Sequence, residues 1–333
     1  FKKIFILCGK KSFVTSGAKE NIEKIIINKE IKFFYKNFDL PILEELIELI
    51  KDIKNFKPDL ILAVGGGTVM DYAKIANVVD VRSDLSELIK NYSYPFKEKY
   101  TKLAVIPTTA GSGAEVTSNA VIYVKGIKHS FESDLLIPDN FFLIPDFLTS
   151  APHKIRASAG FDAIAQALES LVSKKSNDQS VHYASKSLKA SINTYIPFLN
   201  EPNLSNASEM SIAANLAGKA ISISKTTAPH AVSYPFTSIY GVSHGHAVSL
   251  TLNKFLKFNF ANIKDANCNF DLKERFKIIF DLAKLNNIND FDKFLDNLKS
   301  KAKLENNFKN LGIDIKKDYS KIISGVNMLR LSN

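Results

Sequence analysis

The sequence predicts an α/β domain built on a parallel sheet, followed by an all-helical domain. Three observations carry that prediction. Strand-like apolar runs alternate with amphipathic helical runs through residues 1–149, they largely disappear over residues 150–333, and one run that is fully apolar at its core, DLILAV (59–64), ends on three glycines that open a helix. Repeated βαβ alternation implies a parallel sheet with helices on both faces.

The elements follow in order. Residues 4–8, 31–35, 59–64 and 103–107 read as strands, each a short run of branched and aromatic side chains. Residues 18–28, 41–54 and 69–79 read as the intervening helices; the second has apolar spacing at Leu43, Leu46, Ile47 and Ile50. The PDFLTSAP segment (145–152) marks the domain boundary. Beyond it, helical periodicity runs through 159–173, 179–198, 208–222, 246–258 and 273–285, and residues 286–307, rich in Lys, Asn and Asp, remain amphipathic.

A chain of 333 residues with 45% hydrophobic content makes one large or two ordinary domains. The formal charge of +10 comes from Lys spread along the whole chain, with no basic block or nucleic-acid signature, so no nucleic-acid partner is expected. A mildly positive surface favours anionic substrates or cofactors. Cys8 and Cys268 are far apart and in no CxxC pair, which argues against a disulfide framework and fits a reducing, cytoplasmic setting. No apolar stretch reaches the roughly 18 residues of a membrane span, so no membrane association is expected. FKKIFILCGKK reads as a buried strand without a signal-peptide cleavage site; the chain begins at Phe1 rather than Met, so a few preceding residues are expected.

Two segments carry the chemistry. In AVGGGTVMDYAK (63–74) a buried strand ends, Gly65, Gly66 and Gly67 follow, and a helix begins. Glycine suits a sharp turn or a close approach to a ligand, and the helix amides then face an anion. The spacing is not GxGxxG, so the standard dinucleotide fingerprint is not met. A tight βα turn is the plain alternative. In VIPTTAGSGAEVTSNAV (105–121) a strand leads into Thr108-Thr109 and Gly-Ser-Gly, a second hydroxyl- and amide-rich loop at a strand's carboxyl end, where ligands bind in open α/β sheets.

These segments resemble the GGGSxxDxAK and PTTxGTGSE motifs of the iron-dependent alcohol dehydrogenase family, relatives of glycerol dehydrogenase and dehydroquinate synthase. The resemblance continues through Pro138-Asp139, Asp146, AGFDAIAQALES and GVSHGHA, spanning residues 4–260, and RLSN at the end resembles the start of a family tail. It implies a Rossmann-like first domain and an all-helical second one, the dehydroquinate synthase-like architecture. It further implies that Gly65, Gly66 and Gly67, with Thr68, hold the cofactor pyrophosphate and that Asp71 stands near the nicotinamide. Thr108 and Thr109 would line the adenosine side, Ser112 would add a contact, and Lys128 would reach a phosphate or ribose. The family's first strand usually ends in an Asp that binds the adenine ribose; here the end reads Cys8-Gly9-Lys10-Lys11. Loss of a carboxylate and gain of two cations admits NADP(H) as well as NAD(H), although two such lysines are equally often solvated charges.

Asp162 and Gln166 lie four apart, on one face of a predicted helix, and alone would be a polar helix pair. With His230 and His244 they resemble the family's set for a divalent metal, iron first and zinc second, with manganese also suited. Gln166 stands where the family has His. Its carbonyl oxygen is a weaker donor than imidazole toward iron or zinc, so loose binding, ready exchange, or three protein ligands plus water are expected. Tyr234, four after His230, replaces a frequent family His; it serves a proton relay or packs beside Pro235. His246 is a second relay candidate. His129, His153 and His182 read as core or surface histidines.

Lys225, Thr226 and Thr227 run directly into Ala228-Pro229-His230. A cation and two hydroxyls there suit an anionic group on the substrate, whereas helix capping by Lys225 is the alternative. The run ISISKTTAPHAVSYPF, with Gln166 and GVSHGHA, is similar to the branch that reduces phosphonoacetaldehyde. The expected activity is NAD(P)-dependent, metal-assisted hydride transfer between alcohol and aldehyde on a small anionic aldehyde, in a homodimer. A general short-chain alcohol or polyol dehydrogenase is the runner-up. A lyase resembling dehydroquinate synthase would need a denser set of basic residues, and an inactive nucleotide-binding protein is the alternative of another class.

Overall fold

The computed structural model describes residues 1–326; the RLSN tail lies outside the described residues. The described residues divide into two compact units, one of residues 1–109 and 114–151, the other of 110–113 and 152 onward. The predicted fold class holds: an α/β unit is followed by an all-helical one. No described helix is long and apolar enough to cross a membrane.

In the first unit, strands β1 (Lys3–Gly9), β2 (Glu30–Lys36), β3 (Leu60–Gly65), β4 (Lys102–Pro107) and β7 (Asn140–Phe141) form one parallel sheet in the order β2-β1-β3-β4-β7. The central strands are buried on both faces, hence their near-continuous apolar sequences. The strand order reverses between β1 and β3, so their carboxyl ends flank the topological switch point where ligands of open α/β sheets bind. Helices α1 (Ser12–Thr15), α2 (Ala18–Ile25), α3 (Leu43–Phe56), α4 (Gly67–Ala76), α5 (Leu85–Lys90) and α6 (Asp146–Thr149) complete the unit. Leu46, Leu49, Ile50 and Ile53 of α3 pack with Phe5, Leu7 and Ile61 of the sheet in one core.

Two departures from the sequence reading have clear causes. Helix α3 starts two residues late because Pro41 and Ile42 are held extended beside Tyr123, whose N–H donates to the Pro41 carbonyl at 2.6 Å. Residues 119–132, which begin within the end of the 105–121 segment, form the antiparallel hairpin of β5 (Asn119–Val124) and β6 (Ile127–Glu132). Its turn is Lys125-Gly126 with φ of 50° and 78°, the geometry of a two-residue hairpin loop without the Asn-Gly or Asp-Gly that signals one.

The second unit contains α7 (His153–Val172), α8 (Asp178–Asn200), α9 (Leu204–Ser224), α10 (Ala228–Tyr240), α11 (His244–Ala261), α12 (Leu272–Ala283), α13 (Ile288–Lys301) and α14 (Tyr319–Ser324). Helices α8 and α9 begin with reciprocal capping boxes, Asn177 with Ser180 and Asn203 with Asn206. Helix α10 had no periodic signal because Pro229 and Pro235 interrupt its sequence; Pro229 sits in the first turn, where a missing N–H costs nothing. Helix α7 is buried on every side from Gly160 to Val172, the mark of a core helix.

Three glycines let other backbone reach this core. A β-carbon on Gly245 of α11 would lie 2.0 Å from the Ser158 carbonyl oxygen of α7, and one on Gly111 would lie 2.6 Å from that of Ala159. Gly113, at φ +61°, would meet the Gly218 α-carbon of α9 at 2.4 Å. The Gly-Ser-Gly of the second loop is therefore built for close packing with the helical unit. Gly113→Ala is expected to lower stability by about 3 kcal/mol, combining overpacking and left-handed strain. Gly126→Ala, also at positive φ but in open space, is expected to cost about 1 kcal/mol. Urea unfolding midpoints compare the two; equal losses would show that the contact with Gly218 is not limiting.

Candidate active site

The glycine loop and the Thr108–Thr109 loop lie at the ends of β3 and β4. The Thr108 N–H donates to the Gly65 carbonyl at 2.9 Å, which joins the two loops. A β-carbon on Gly65 would strike Val69 at 2.5 Å, and one on Gly66 would press on Thr109 Oγ1 at 3.2 Å. Gly66 has an ordinary φ of −81°, so the glycines serve close approach rather than a left-handed turn. Gly66 caps α4, whose first amides belong to Gly67 and Thr68; the Thr68 hydroxyl donates to the Asp39 carbonyl at 3.2 Å.

Asp71 lies one turn further along α4. Burial lifts its carboxyl to about 6, against the pull of Lys74, Lys128 and the Val121 N–H. Lys128 on β6 is thus within electrostatic reach of Asp71. Lys74, which closes the glycine-triplet motif, is wholly buried. Its ammonium donates to the Ala114 carbonyl (2.8 Å), Thr117 Oγ1 (3.0 Å) and the Asn119 carbonyl (2.7 Å). Burial draws it down to about 8. It fastens α4 to the segment leading into the hairpin. At the end of β1, Cys8 is buried, its thiol pushed up to about 12 by burial, while Lys10 and Lys11 are exposed.

In the helical unit, ligand atoms of Asp162, His230 and His244 all lie within 4.8 Å of one another. Neighbouring ligands on one four-coordinate ion stand about 3.4 Å apart, so a small inward adjustment would close the set. His230 Nε2 is already 3.2 Å from Asp162 Oδ1, and the His230 and His244 rings meet edge to face at 5.3 Å. Gln166 Nε2 donates to Asp162 Oδ2 at 3.1 Å. Its Oε1 is buried with no hydrogen-bond partner among the described residues. An orphaned buried oxygen beside a carboxylate and two imidazoles fits a divalent cation, and these donors suit iron, zinc or manganese.

Glu169 was not singled out from the sequence. It lies on α7 seven residues after Asp162, on the face that carries Gln166, and that spacing was its available signal. Its Oε1 accepts from the Thr227 N–H (2.8 Å), Thr227 Oγ1 (2.9 Å) and the His230 N–H (3.4 Å), and its Oε2 pairs with His230 Nδ1. That contact leaves Nε2 directed at Asp162. Burial opposes charge on the ring, but Glu169 and Asp162 outweigh it and hold His230 up at about 10.

The remaining candidates take varied places. Thr227 spends its hydroxyl and amide on Glu169, and Thr226 is buried beside it. Lys225 ends α9 at φ 60° and ψ 170°, and its ammonium donates to the Ser222 carbonyl at 2.9 Å. Ser112 belongs to the helical unit, where its carbonyl faces Gln166 Nε2 at 3.4 Å. Tyr234 is buried on α10, one turn after His230. His246 is buried on α11; its Nε2 donates to the Glu305 carbonyl at 2.7 Å, and burial depresses its pKa. His129 is buried in the hairpin, His153 is half-buried and His182 is exposed.

A glycine loop on a parallel sheet and a largely buried Asp-His-His cluster on an all-helical unit fit a nicotinamide- and metal-dependent class of oxidoreductases. The model for iron-containing alcohol dehydrogenase matches residues 1–145, and the C-terminal model of the Fe-containing alcohol dehydrogenase family matches 156–328. The chain belongs to the iron-containing alcohol dehydrogenase family. It is 30% identical over 275 residues to 4-hydroxybutyrate dehydrogenase of Clostridium kluyveri, covering 78% of this chain and 71% of that one. It is 30% identical to the 1-propanol dehydrogenase of Citrobacter freundii, over 66% of this chain and 56% of that one. Phosphonoacetaldehyde reductase of Streptomyces viridochromogenes is 27% identical, over 66% of this chain and 58% of that one. The last two matches thus span less than two thirds of those relatives. The fold is that of a sulfoacetaldehyde reductase from Bifidobacterium kashiwanohense in complex with NAD+, with a TM-score of 0.86, 24% identity, and coverage of 100% of this chain and 86% of that one.

Glu169→Gln keeps the size of the side chain but removes the charge that orients His230. Metal affinity, measured by competition with a chromophoric chelator, is expected to fall about 10- to 100-fold. Unchanged affinity would show that His230 is oriented without Glu169.

Proposed function

We propose that the protein catalyses reversible, NAD(P)-dependent, metal-assisted hydride transfer between an alcohol and an aldehyde. We further propose that its preferred substrate is a small anionic aldehyde such as phosphonoacetaldehyde. The observation that carries the reaction is the set of buried Asp162 and His230 with half-buried His244, beside a Gln166 oxygen that has no hydrogen-bond partner among the described residues. When bound, a divalent ion there supplies Lewis acidity to a carbonyl oxygen, and a nicotinamide supplies or accepts the hydride.

The chain's own residues have separable tasks. Gly65, Gly66, Gly67 and Thr68 bind the pyrophosphate with backbone amides, with Thr108, Thr109, Ser112 and Lys128 as further cofactor contacts and Asp71 toward the nicotinamide. Tyr234 and His246 are the relay candidates; His246 donates through Nε2 to Glu305, which leaves Nδ1 to accept a proton.

Lys225 supports the anionic substrate. A non-glycine residue at φ 60° and ψ 170° carries strain of about 1–3 kcal/mol, which persists where the surroundings impose it and which clusters at functional sites. Two of the relatives are named for substrates or products that bear an acid group, a phosphonate and a carboxylate. The competing reading, a general short-chain alcohol or polyol dehydrogenase, draws on the 2.9 Å bond from Lys225 to Ser222, where a cation complements the α9 dipole. The 1-propanol dehydrogenase relative is consistent with it.

Reductase assays on phosphonoacetaldehyde, butanal and glyceraldehyde separate the two readings. Lys225→Ala is expected to raise KM for phosphonoacetaldehyde roughly tenfold or more, the worth of one charge-assisted hydrogen bond, and to leave butanal nearly unchanged. Equal effects on both would assign Lys225 to helix capping. Cofactor binding with no turnover of any aldehyde would point to a nucleotide-binding protein without activity.

The β1 end has no carboxylate to repel a 2′-phosphate, and Lys10 and Lys11 are exposed beside it. The expected kcat/KM for NADPH is therefore at least equal to that for NADH. A strong preference for NADH would exclude these lysines from cofactor choice.

A further inference from the structure

Gln166 is oriented as well as buried. Its amide donates through Nε2 to Asp162 Oδ2 at 3.1 Å and, more weakly, to the Ser112 carbonyl at 3.4 Å. Both acceptors hold the nitrogen, so the opposite end of the amide is Oε1, which is buried and has no hydrogen-bond partner among the described residues. A histidine at this position would present an imidazole nitrogen instead. The donors offered to an ion would then be three imidazole nitrogens and one carboxylate. Here they are two imidazoles and two oxygens, one anionic and one neutral.

We infer that Gln166 Oε1 is a metal ligand and that this oxygen narrows the centre's preference for zinc over manganese and iron(II). The inference rests on the metal reading of Asp162, His230 and His244. Divalent affinities rise from manganese through iron toward copper, with zinc above manganese and iron(II) at nitrogen-rich sites, while oxygen donors suit manganese comparatively well. Exchanging one nitrogen for an amide oxygen weakens zinc more than manganese. The Ser112 carbonyl, carried by the 110–113 segment, helps set the direction of that oxygen.

The test uses the full chain without cofactor, and measures Zn2+ and Mn2+ affinities by competition with a chromophoric chelator, with circular dichroism to verify folding. Gln166→His is expected to raise the zinc-to-manganese affinity ratio about tenfold, and Gln166→Ala to weaken both ions about tenfold. If Gln166→Ala is poorly folded, the ratio in Gln166→His still decides. Wild-type affinities retained in both variants would place Gln166 outside the ligand set and overturn the inference while the three-ligand site stands. Failure of the wild type to bind either ion, with Asp162→Ala indistinguishable from it, would overturn the metal reading itself.

Discussion

The arrangement of the helical unit depends on one buried carboxylate. Glu169 sits wholly inside the core, and an isolated charge there would be prohibitively costly. Its demand for donors is met at the start of α10, where Thr227 and His230 supply backbone amides, a hydroxyl and a ring nitrogen. Thr227 makes no side-chain cap to α10 itself. Glu169 therefore caps that helix from a neighbouring one, satisfying amides that would otherwise be orphaned and favouring the positive end of its dipole. The same contact turns the His230 ring so that Nε2 meets Asp162. Helix docking and metal-ligand orientation are consequences of a single interaction.

That interaction requires close approach, which the glycines permit. Gly245 precedes His246 and follows His244, and its missing side chain lets α11 lie on the Ser158–Asp162 turn of α7. Gly111 does the same for the segment carrying Ser112. Each ligand of the set thus arrives on backbone packed against one buried helix, and α7 supplies Asp162 and Gln166 itself. Rigid placement follows from packing, since close-packed interiors do not deform continuously.

The fold was legible wherever periodicity carried it. Parallel strands buried on both faces and long capped helices read plainly from the sequence. The β5–β6 hairpin did not, because its Lys125-Gly126 turn lacks a typical signal, and α10 did not, because two prolines mask its helical character. At the site, Asp162, Gln166, His230 and His244 were named from pattern and resemblance, and three of them offer ligand atoms to one point. Glu169 escaped because a carboxylate within an alanine-rich helix has no distinguishing local context; its importance comes from α10, which lies some sixty residues later. Close packing of the 110–113 segment in the helical unit is not legible from its sequence, because glycine and serine look alike in a ligand loop and in a close-packed crossing. Only spatial neighbours separate the two uses.

Charge balance gives the metal centre a further logic. Asp162 and Glu169 place two carboxylates in the interior, and Gln166 adds an oxygen but no charge. A proton on His230 offsets one of the carboxylates, and burial penalises the charge that remains. A divalent ion with neutral imidazoles offsets both. A fourth ligand bearing its own charge would disturb that balance, whereas a neutral His or Gln preserves it. The exchange of imidazole for amide at Gln166 leaves unaltered the charge the core must accommodate, so the proposed change of ligand atom adds no ionic burial cost at a deeply buried position.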